Sequence, residues 1–187
     1  MRKPIIAGNW KMYKTIGAAV ELVKALLVGL ESGRDREVLV CPPFTALYAV
    51  RPLLVGTAIS LGAQDLHHEA QGAYTGAIAP GMLTDVGCSY VIIGHSERRQ
   101  YFGETDASVN KKIGAALGVG LKPIVCVGEV KAERDAGQAE AVVDLPQGQH
   151  PGVSGQPFGA VRNDDRAVEI ERKKRRLRFT HWVHLRV

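Results

Sequence analysis

The chain has 187 residues, of which 45% are hydrophobic and 6% aromatic, which is enough for one globular domain with a sizeable core. No apolar run approaches the roughly 18 residues that a membrane span needs, and the amino terminus has no signal-peptide pattern. Three widely spaced cysteines, Cys41, Cys88 and Cys126, exclude a disulfide framework and a zinc site. We therefore expect a cytoplasmic protein without a membrane partner.

The net charge of +5 is concentrated near the carboxyl terminus. Residues 144–187 contain nine Lys and Arg against five Asp and Glu, whereas the preceding residues are nearly balanced. The basic character therefore belongs to the last quarter of the chain, which indicates that the chain has two parts.

The predicted elements alternate along residues 1–143. Five apolar runs predict buried strands, and they cover residues 4–7, 38–41, 58–64, 90–93 and 123–128. Apolar residues at spacings of three and four predict helices, which begin near residues 16, 45, 80, 96, 105 and 129. This alternation indicates an α/β protein with a parallel sheet, and the pattern alone leaves a doubly wound sheet and a barrel both open.

The alternation ends near Asp144. Residues 145–159 are rich in Pro, Gly and Gln, and residues 166–178 carry seven Arg and Lys. A sixth unit would need another buried strand, and only residues 177–179 and 182–185 come near one. We predict that residues 144–187 are a linker and a basic, poorly ordered segment.

The fourth predicted strand ends in a burst of polar residues. His95 stands at its carboxyl end, and the Ser96 hydroxyl is suited to cap the helix that follows. Ligands bind at this end of the strands in parallel sheets and barrels, so His95 is a candidate site residue. The alternative is a structural histidine in front of a charged helix face.

Four segments, each just after a predicted strand, carry a specific resemblance. They are Gly8-Asn9-Trp10-Lys11-Met12, Gly72-Ala73-Tyr74-Thr75-Gly76, Ile92-Ile93-Gly94-His95-Ser96-Glu97-Arg98-Arg99 and Cys126-Val127-Gly128-Glu129. In this order they resemble the triosephosphate isomerase family over residues 1–143, whereas residues 144–187 do not match. The resemblance implies a (β/α)8 TIM barrel that is incomplete here, with about five βα units and the active site at the carboxyl ends of the strands.

The resemblance also implies a reaction, the interconversion of dihydroxyacetone phosphate and glyceraldehyde 3-phosphate through an enediolate. In the best-studied example of the family, a neutral His, its pKa lowered by a helix N-terminus, polarises the carbonyl while a Glu acts as base. By resemblance, His95 and Lys11 are catalytic, Asn9 and Lys11 bind the phosphorylated triose substrate, and Ser96 and Glu97 support them. The resemblance implies no metal or other cofactor.

The segment around Thr75 resembles the loop with which the family forms homodimers, Thr75 reaching the active site of the neighbouring subunit. Many relatives carry a carboxylate where Ala77 stands here. An ion pair between this loop and Arg98 across the dimer is therefore expected to be missing.

Two parts of the family pattern have no counterpart in residues 144–187. The motif that carries the general base does not occur, and neither do the glycine loops that bind phosphate. Glu169 and Glu171 are the only Glu residues there, in a highly charged run, and we expect neither to be the base. A complete barrel needs about 250 residues. We therefore predict that the 187-residue chain folds poorly alone and is nearly inactive.

Three interpretations follow. The chain is a triosephosphate isomerase whose carboxyl-terminal part is lost or replaced, which a reading-frame error would produce. Alternatively, it is a non-catalytic relative that keeps half a barrel for binding or assembly. The third interpretation is a nucleic-acid binder that uses the basic run of residues 172–178, but no aromatic stacking pattern accompanies that run.

Overall fold

The computed structural model describes residues 4–30, 36–128 and 135–137, and the backbone of residues 168–169. The strands are β1 (Ile5–Asn9), β2 (Glu37–Cys41), β3 (Ile59–Ala63), β4 (Tyr90–Ile93), β5 (Lys122–Val125) and β6 (Val168–Glu169). The helices are α1 (Ile16–Gly29), α2 (Phe44–Leu54), α3 (Pro80–Asp85), α4 (Ser96–Phe102) and α5 (Asp106–Gly118). The helix predicted over residues 129–143 lies outside the described residues, except for residues 135–137.

The strands form one parallel sheet in the order β1-β2-β3-β4-β5-β6. Each strand therefore pairs with its neighbour in the sequence. A doubly wound sheet reverses its strand order at one point, whereas a (β/α) barrel adds its strands sequentially. The order thus decides in favour of the barrel, which the sequence pattern left open, and the described strands form part of one.

The sixth strand corrects a prediction. We expected no strand in residues 144–187 other than near residues 177–179 or 182–185, which lie outside the described residues. Instead, the backbone of Val168 and Glu169 pairs in parallel with Ile124 and Val125 of β5. Strand pairing uses backbone groups, so two residues suffice to extend a sheet edge without the apolar run that sequence analysis requires.

Alternate residues of strands β2 to β5 face two separate cores. Val40, Ala63, Val91 and Ile93 pack with the helices on the outer side of the sheet. The inner side is formed by a smaller cluster with Ala7, Leu39, Cys41, Tyr90, Ile92 and Ile124 as its buried members. Strands β2 to β5 are therefore largely buried on both faces, as their apolar runs predicted.

Gly62 of β3 shows how closely the inner side is packed. A Cβ atom at this position would lie 2.7 Å from Cys41 Sγ and 3.0 Å from Leu39 Cδ1. Both neighbours are side chains of the buried strand β2, so any larger residue would push them apart.

Helix α1 begins at Ile16, as predicted, and its buried residues are Ala19 and Val23. Ile16 and the C-cap residue Leu30, at the two ends of the helix, are 51% and 40% exposed. The helix is therefore buried through its middle rather than at its ends. Among the described helices, none is both long enough and apolar enough to cross a bilayer.

Candidate active site

Lys11 follows β1 directly and has an unusual backbone conformation. Its φ is +52°, in the left-handed region that residues other than glycine rarely adopt. Its N–H donates to Asn9 Oδ1 at 2.9 Å, and its carbonyl oxygen accepts from Gln64 Nε2 at 2.8 Å. Side chains from β1 and from the end of β3 therefore hold both backbone polar groups of Lys11.

His95 lies between β4 and α4 and is the N-cap residue of α4. Its Nδ1 accepts a hydrogen bond from the Glu97 N–H at 3.3 Å. The prediction that Ser96 caps this helix is wrong, since Ser96 is already the first helical residue and is exposed. The chain turns at Gly94, whose φ is +75°. The imidazole of the next residue, His95, therefore takes the capping position, one residue before Ser96.

This hydrogen bond constrains the imidazole tautomer. A nitrogen that accepts a hydrogen bond carries no proton, so neutral His95 has its proton on Nε2. The second ring nitrogen is therefore a hydrogen-bond donor.

Glu97 joins the lysine to the histidine. The Glu97 carboxylate accepts from Lys11 Nζ at 2.7 Å, and the Glu97 N–H is the group that donates to His95 Nδ1. Lys11 follows β1 and His95 follows β4, so the carboxyl ends of two strands that are not neighbours supply one group. We call Lys11, His95 and Glu97 the Lys11 group.

Of the other predicted site residues, Asn9 contacts the Lys11 group through the backbone of Lys11. Thr75 lies in the segment 71–76, every residue of which is exposed. Gln64 was not singled out by sequence analysis. Its only signal was its place at the carboxyl end of the third predicted strand.

A second set of charged residues lies behind His95, and we call it the Lys112 network. Lys112 Nζ is 2.6 Å from Asp65 Oδ1 and also contacts Glu104 Oε1, while an Arg98 terminal nitrogen is 2.9 Å from Asp65 Oδ2. Burial raises the pKa of the Asp65 carboxyl, and the hydrogen bond and charge of Lys112 and the charge of Arg98 offset part of that rise.

This network holds the turn that carries His95. Glu104 Oε2 accepts from the Gly94 N–H at 3.1 Å, and the Gly94 carbonyl oxygen accepts from Arg99 Nε at 2.9 Å. The network was not apparent from the sequence, because its members are spread over residues 65–112 and resemble ordinary surface charges. Arg98, whose partner across a dimer we expected to be missing, pairs with Asp65 of its own chain.

The three thiols are poor candidates for nucleophiles. Burial raises the pKa of Cys126 to about 11 and that of Cys88 to about 12, and it raises the pKa of the fully buried Cys41 further. A reactive cysteine instead needs a lowered pKa. Cys88 and Cys41 instead pack within the two apolar clusters, and Cys126 packs against the inner one. Within the described residues, no cluster of three or more His, Cys, Asp or Glu is placed to hold a metal ion.

Comparison with known proteins tests the resemblance. The family model for triosephosphate isomerase matches residues 4–149, which is most of the chain and reaches six residues past the boundary predicted at residue 143. The chain belongs to the triosephosphate isomerase family. The parallel, sequentially ordered sheet and the segments around Lys11 and His95 are thus features of a triosephosphate isomerase fold.

Curated relatives give the same result. The triosephosphate isomerase of Herpetosiphon aurantiacus is 67% identical over 143 residues, and that of Chloroflexus aurantiacus is 66% identical over 143 residues. Each alignment covers 76% of this chain and 57% of the relative. The chain therefore spans little more than half the length of these triosephosphate isomerases.

A solved structure agrees with the sequence comparison. The crystal structure of triosephosphate isomerase from Bartonella henselae superposes with a TM-score of 0.72 at 42% sequence identity. The superposition covers 79% of this chain and 64% of that chain. The predicted fold, an incomplete TIM barrel, is confirmed.

Proposed function

We propose that the Lys11 group is the electrophilic half of a triosephosphate isomerase active site. Its substrates would be dihydroxyacetone phosphate and glyceraldehyde 3-phosphate. The observation that carries the proposal is that Glu97 contacts both residues: its carboxylate pairs with the Lys11 ammonium and its N–H donates to His95 Nδ1, at the carboxyl ends of β1 and β4.

Each residue has a role that suits its contacts. The reaction passes through an enediolate, and donors already aimed at the developing oxyanion lower its free energy. His95 Nε2–H is such a donor, because Nδ1 is occupied by the Glu97 N–H. The Lys11 ammonium balances the negative charge of the phosphate and the enediolate. Asn9 Oδ1 accepts from Lys11, which leaves its Nδ2 group to donate to a substrate oxygen.

We propose further that the 187-residue chain by itself is nearly inactive. Residues 144–187 contain only Glu169 and Glu171 as Glu residues, and we expect neither to be the general base, although the Glu169 backbone lies in β6. A positioned general base contributes roughly 10²–10⁴ in rate. The glycine loops that bind phosphate and position the substrate have no counterpart in residues 144–187 either, and their absence lowers the rate further.

The decisive experiment restores what residues 144–187 do not supply. Residues 1–143 are joined to the corresponding carboxyl-terminal part of the Herpetosiphon aurantiacus enzyme, and isomerase turnover is compared with that of the 187-residue chain. We expect the chimera to be at least ~10²-fold faster, which is the lower value of a general base.

Variants of the chimera then test the roles. Lys11→Met and His95→Gln should each lower kcat/KM roughly 10²–10³-fold, the loss expected for one electrostatic donor. Lys24→Met, which removes an exposed lysine of α1, is the matched control and should leave turnover unchanged.

Two outcomes contradict the proposal. A chimera that melts cooperatively without turnover favours the non-catalytic relative. Turnover by the 187-residue chain within tenfold of the chimera refutes its predicted inactivity, and loss of that turnover in Glu169→Gln would identify Glu169 as the base.

Binding of random DNA that persists at moderate salt would revive the nucleic-acid interpretation.

We also propose a homodimer as the partner state, in line with the family. Large apolar residues are exposed on loops or helices that follow the carboxyl ends of the strands: Met12, Tyr48, Tyr74, Met82 and Phe102. Such exposed apolar surface is typical of protein interfaces. The chimera should sediment as a dimer, and Thr75→Arg should shift it to monomer, whereas Ala25→Arg at an exposed position of α1 should not.

A further inference from the structure

Gln64 makes two hydrogen bonds that bear on Lys11. Its Nε2 donates to the Lys11 carbonyl oxygen at 2.8 Å and to the Cys41 carbonyl oxygen at 2.8 Å. The Cys41 carbonyl oxygen also accepts from the Trp10 N–H at 3.1 Å. The side chain of Gln64, just past β3, therefore connects the segment after β1 to the end of β2.

The connection acts on the most strained residue of the site. A left-handed backbone at a lysine costs free energy and persists only where surrounding contacts fix it. Asn9 fixes the N–H of Lys11, and Gln64 fixes its carbonyl group. The orientation of the two peptide groups that flank Lys11 sets the direction in which its side chain leaves the backbone. From that backbone, Lys11 Nζ reaches Glu97 Oε1 at 2.7 Å.

We propose that Gln64 is a positioning residue that holds the backbone of Lys11 so that its ammonium meets Glu97. Its importance for catalysis rests on the proposed function, whereas the geometric claim does not. The two carbonyl oxygens, of Lys11 and Cys41, need two N–H donors from one nitrogen at the end of a side chain as long as that of glutamine. A primary amide provides them, and a methionine of similar size provides none.

A merely structural role is the alternative, in which Gln64 only joins β2 to β3 and contributes to overall stability. The two roles differ in what happens at Lys11 Nζ. If Gln64 positions Lys11, its loss releases this ammonium while the rest of the fold stays protected. If its role is only structural, its loss affects all protected groups together or none.

The test is competitive acetylation of the 187-residue chain with acetic anhydride, read by mass spectrometry at three lysines. Lys11 reports on positioning, exposed Lys24 is the internal reference, and buried Lys112 reports unfolding. In Gln64→Met we expect the Lys11 to Lys24 ratio to rise about threefold to tenfold, which is the range for one or two lost hydrogen bonds. Lys112 should remain protected.

Gln100→Met is the matched control, because Gln100 is exposed on α4. It should leave the ratio unchanged. An unchanged ratio in Gln64→Met with Lys112 still protected overturns the proposal.

If Gln64→Met exposes Lys112 as well, the variant has unfolded, and the unaltered chain decides. NMR hydrogen exchange is then measured on the side-chain amide protons of Gln64. Exchange of these protons much slower than those of Gln100 supports the two hydrogen bonds, and equal exchange overturns them.

Failure of the proposed function is recognised separately. Labelling of the unaltered chain is repeated with dihydroxyacetone phosphate present. Protection of Lys11 by this compound supports the substrate assignment. If dihydroxyacetone phosphate does not protect Lys11, while Gln64→Met still raises the acetylation of Lys11, the substrate assignment is refuted and the positioning role of Gln64 stands.

Discussion

The Lys11 group and the Lys112 network use the same residue types in two different environments. In both, a lysine ammonium lies within hydrogen-bond distance of carboxylates near the carboxyl ends of the strands. The side chains of Lys11 and Glu97 are 30% and 40% exposed, whereas those of Lys112 and Glu104 are 9% and 3% exposed. The difference lies in access to water, and it separates a pair that can meet a ligand from a pair that supports the fold.

The physical reason is the balance of desolvation and attraction. A partly exposed pair keeps much of its hydration, so it adds little stability, and its ammonium stays accessible from the solvent. A buried pair has already lost its water, so removal of one partner leaves a charge that nothing solvates. The Lys112 network therefore holds the Gly94 turn in place, and the Lys11 group stays open to solvent.

The largest expected effect is on the Lys112 network, whose charged side chains are buried. Lys112→Met leaves Asp65 and Glu104 without the ammonium between them, and we expect the free energy of unfolding to fall by about 3–5 kcal/mol. Urea titration followed by circular dichroism measures this change. Lys111→Met, at the exposed neighbouring position, is the control. Equal losses in the two variants would mean that burial does not distinguish them.

A smaller effect on stability is expected for the Lys11 group, whose charged side chains are partly exposed. Lys11→Met removes a partly exposed ion pair, and the free energy of unfolding should change by less than about 1 kcal/mol. The same urea titration applies, with Lys24→Met as the matched control. A loss as large as that of Lys112→Met would assign Lys11 a mainly structural role and weaken the proposed active site.

The smallest effect concerns His68, which lies at the boundary of the Lys112 network. Burial lowers its pKa from the ordinary 6.5, and the neighbouring His67, Lys111 and Lys112 lower it further, against an opposite effect of Glu69. The unfolded chain therefore takes up the proton first as the pH falls. The stability contributed by neutral His68 is complete above pH 6.5 and is lost below it.

Urea titrations at pH 7.5 and 5.5 test this prediction for the unaltered chain and for His68→Gln. The unaltered chain should lose slightly more stability between the two pH values than the variant loses. An identical pH dependence in both would show that other groups control the response.

Much of the fold followed from local patterns. The start of α5 is an example, since a helix was predicted to begin near residue 105 and Thr105 is its N-cap, with a hydroxyl that accepts from the Ser108 N–H. His95 was placed correctly at the end of β4, because an apolar run that stops at a glycine marks a strand end. The cap of α4 was assigned to the wrong residue, because a hydroxyl before a charged turn is the commoner signal and the turn at Gly94 is not visible in the sequence.

The sequence by itself determined the alternation of strands and helices, the positions of Lys11 and His95 at strand ends, and the family. These depend on hydrogen bonds and apolar spacing within a few residues, or on short motifs. The tertiary structure alone decided that the sheet runs in sequential order, that Gln64 holds Lys11, and that Lys112 is buried. Those facts rest on contacts between residues 47 to 86 positions apart, which form only when parallel strands bring their ends together.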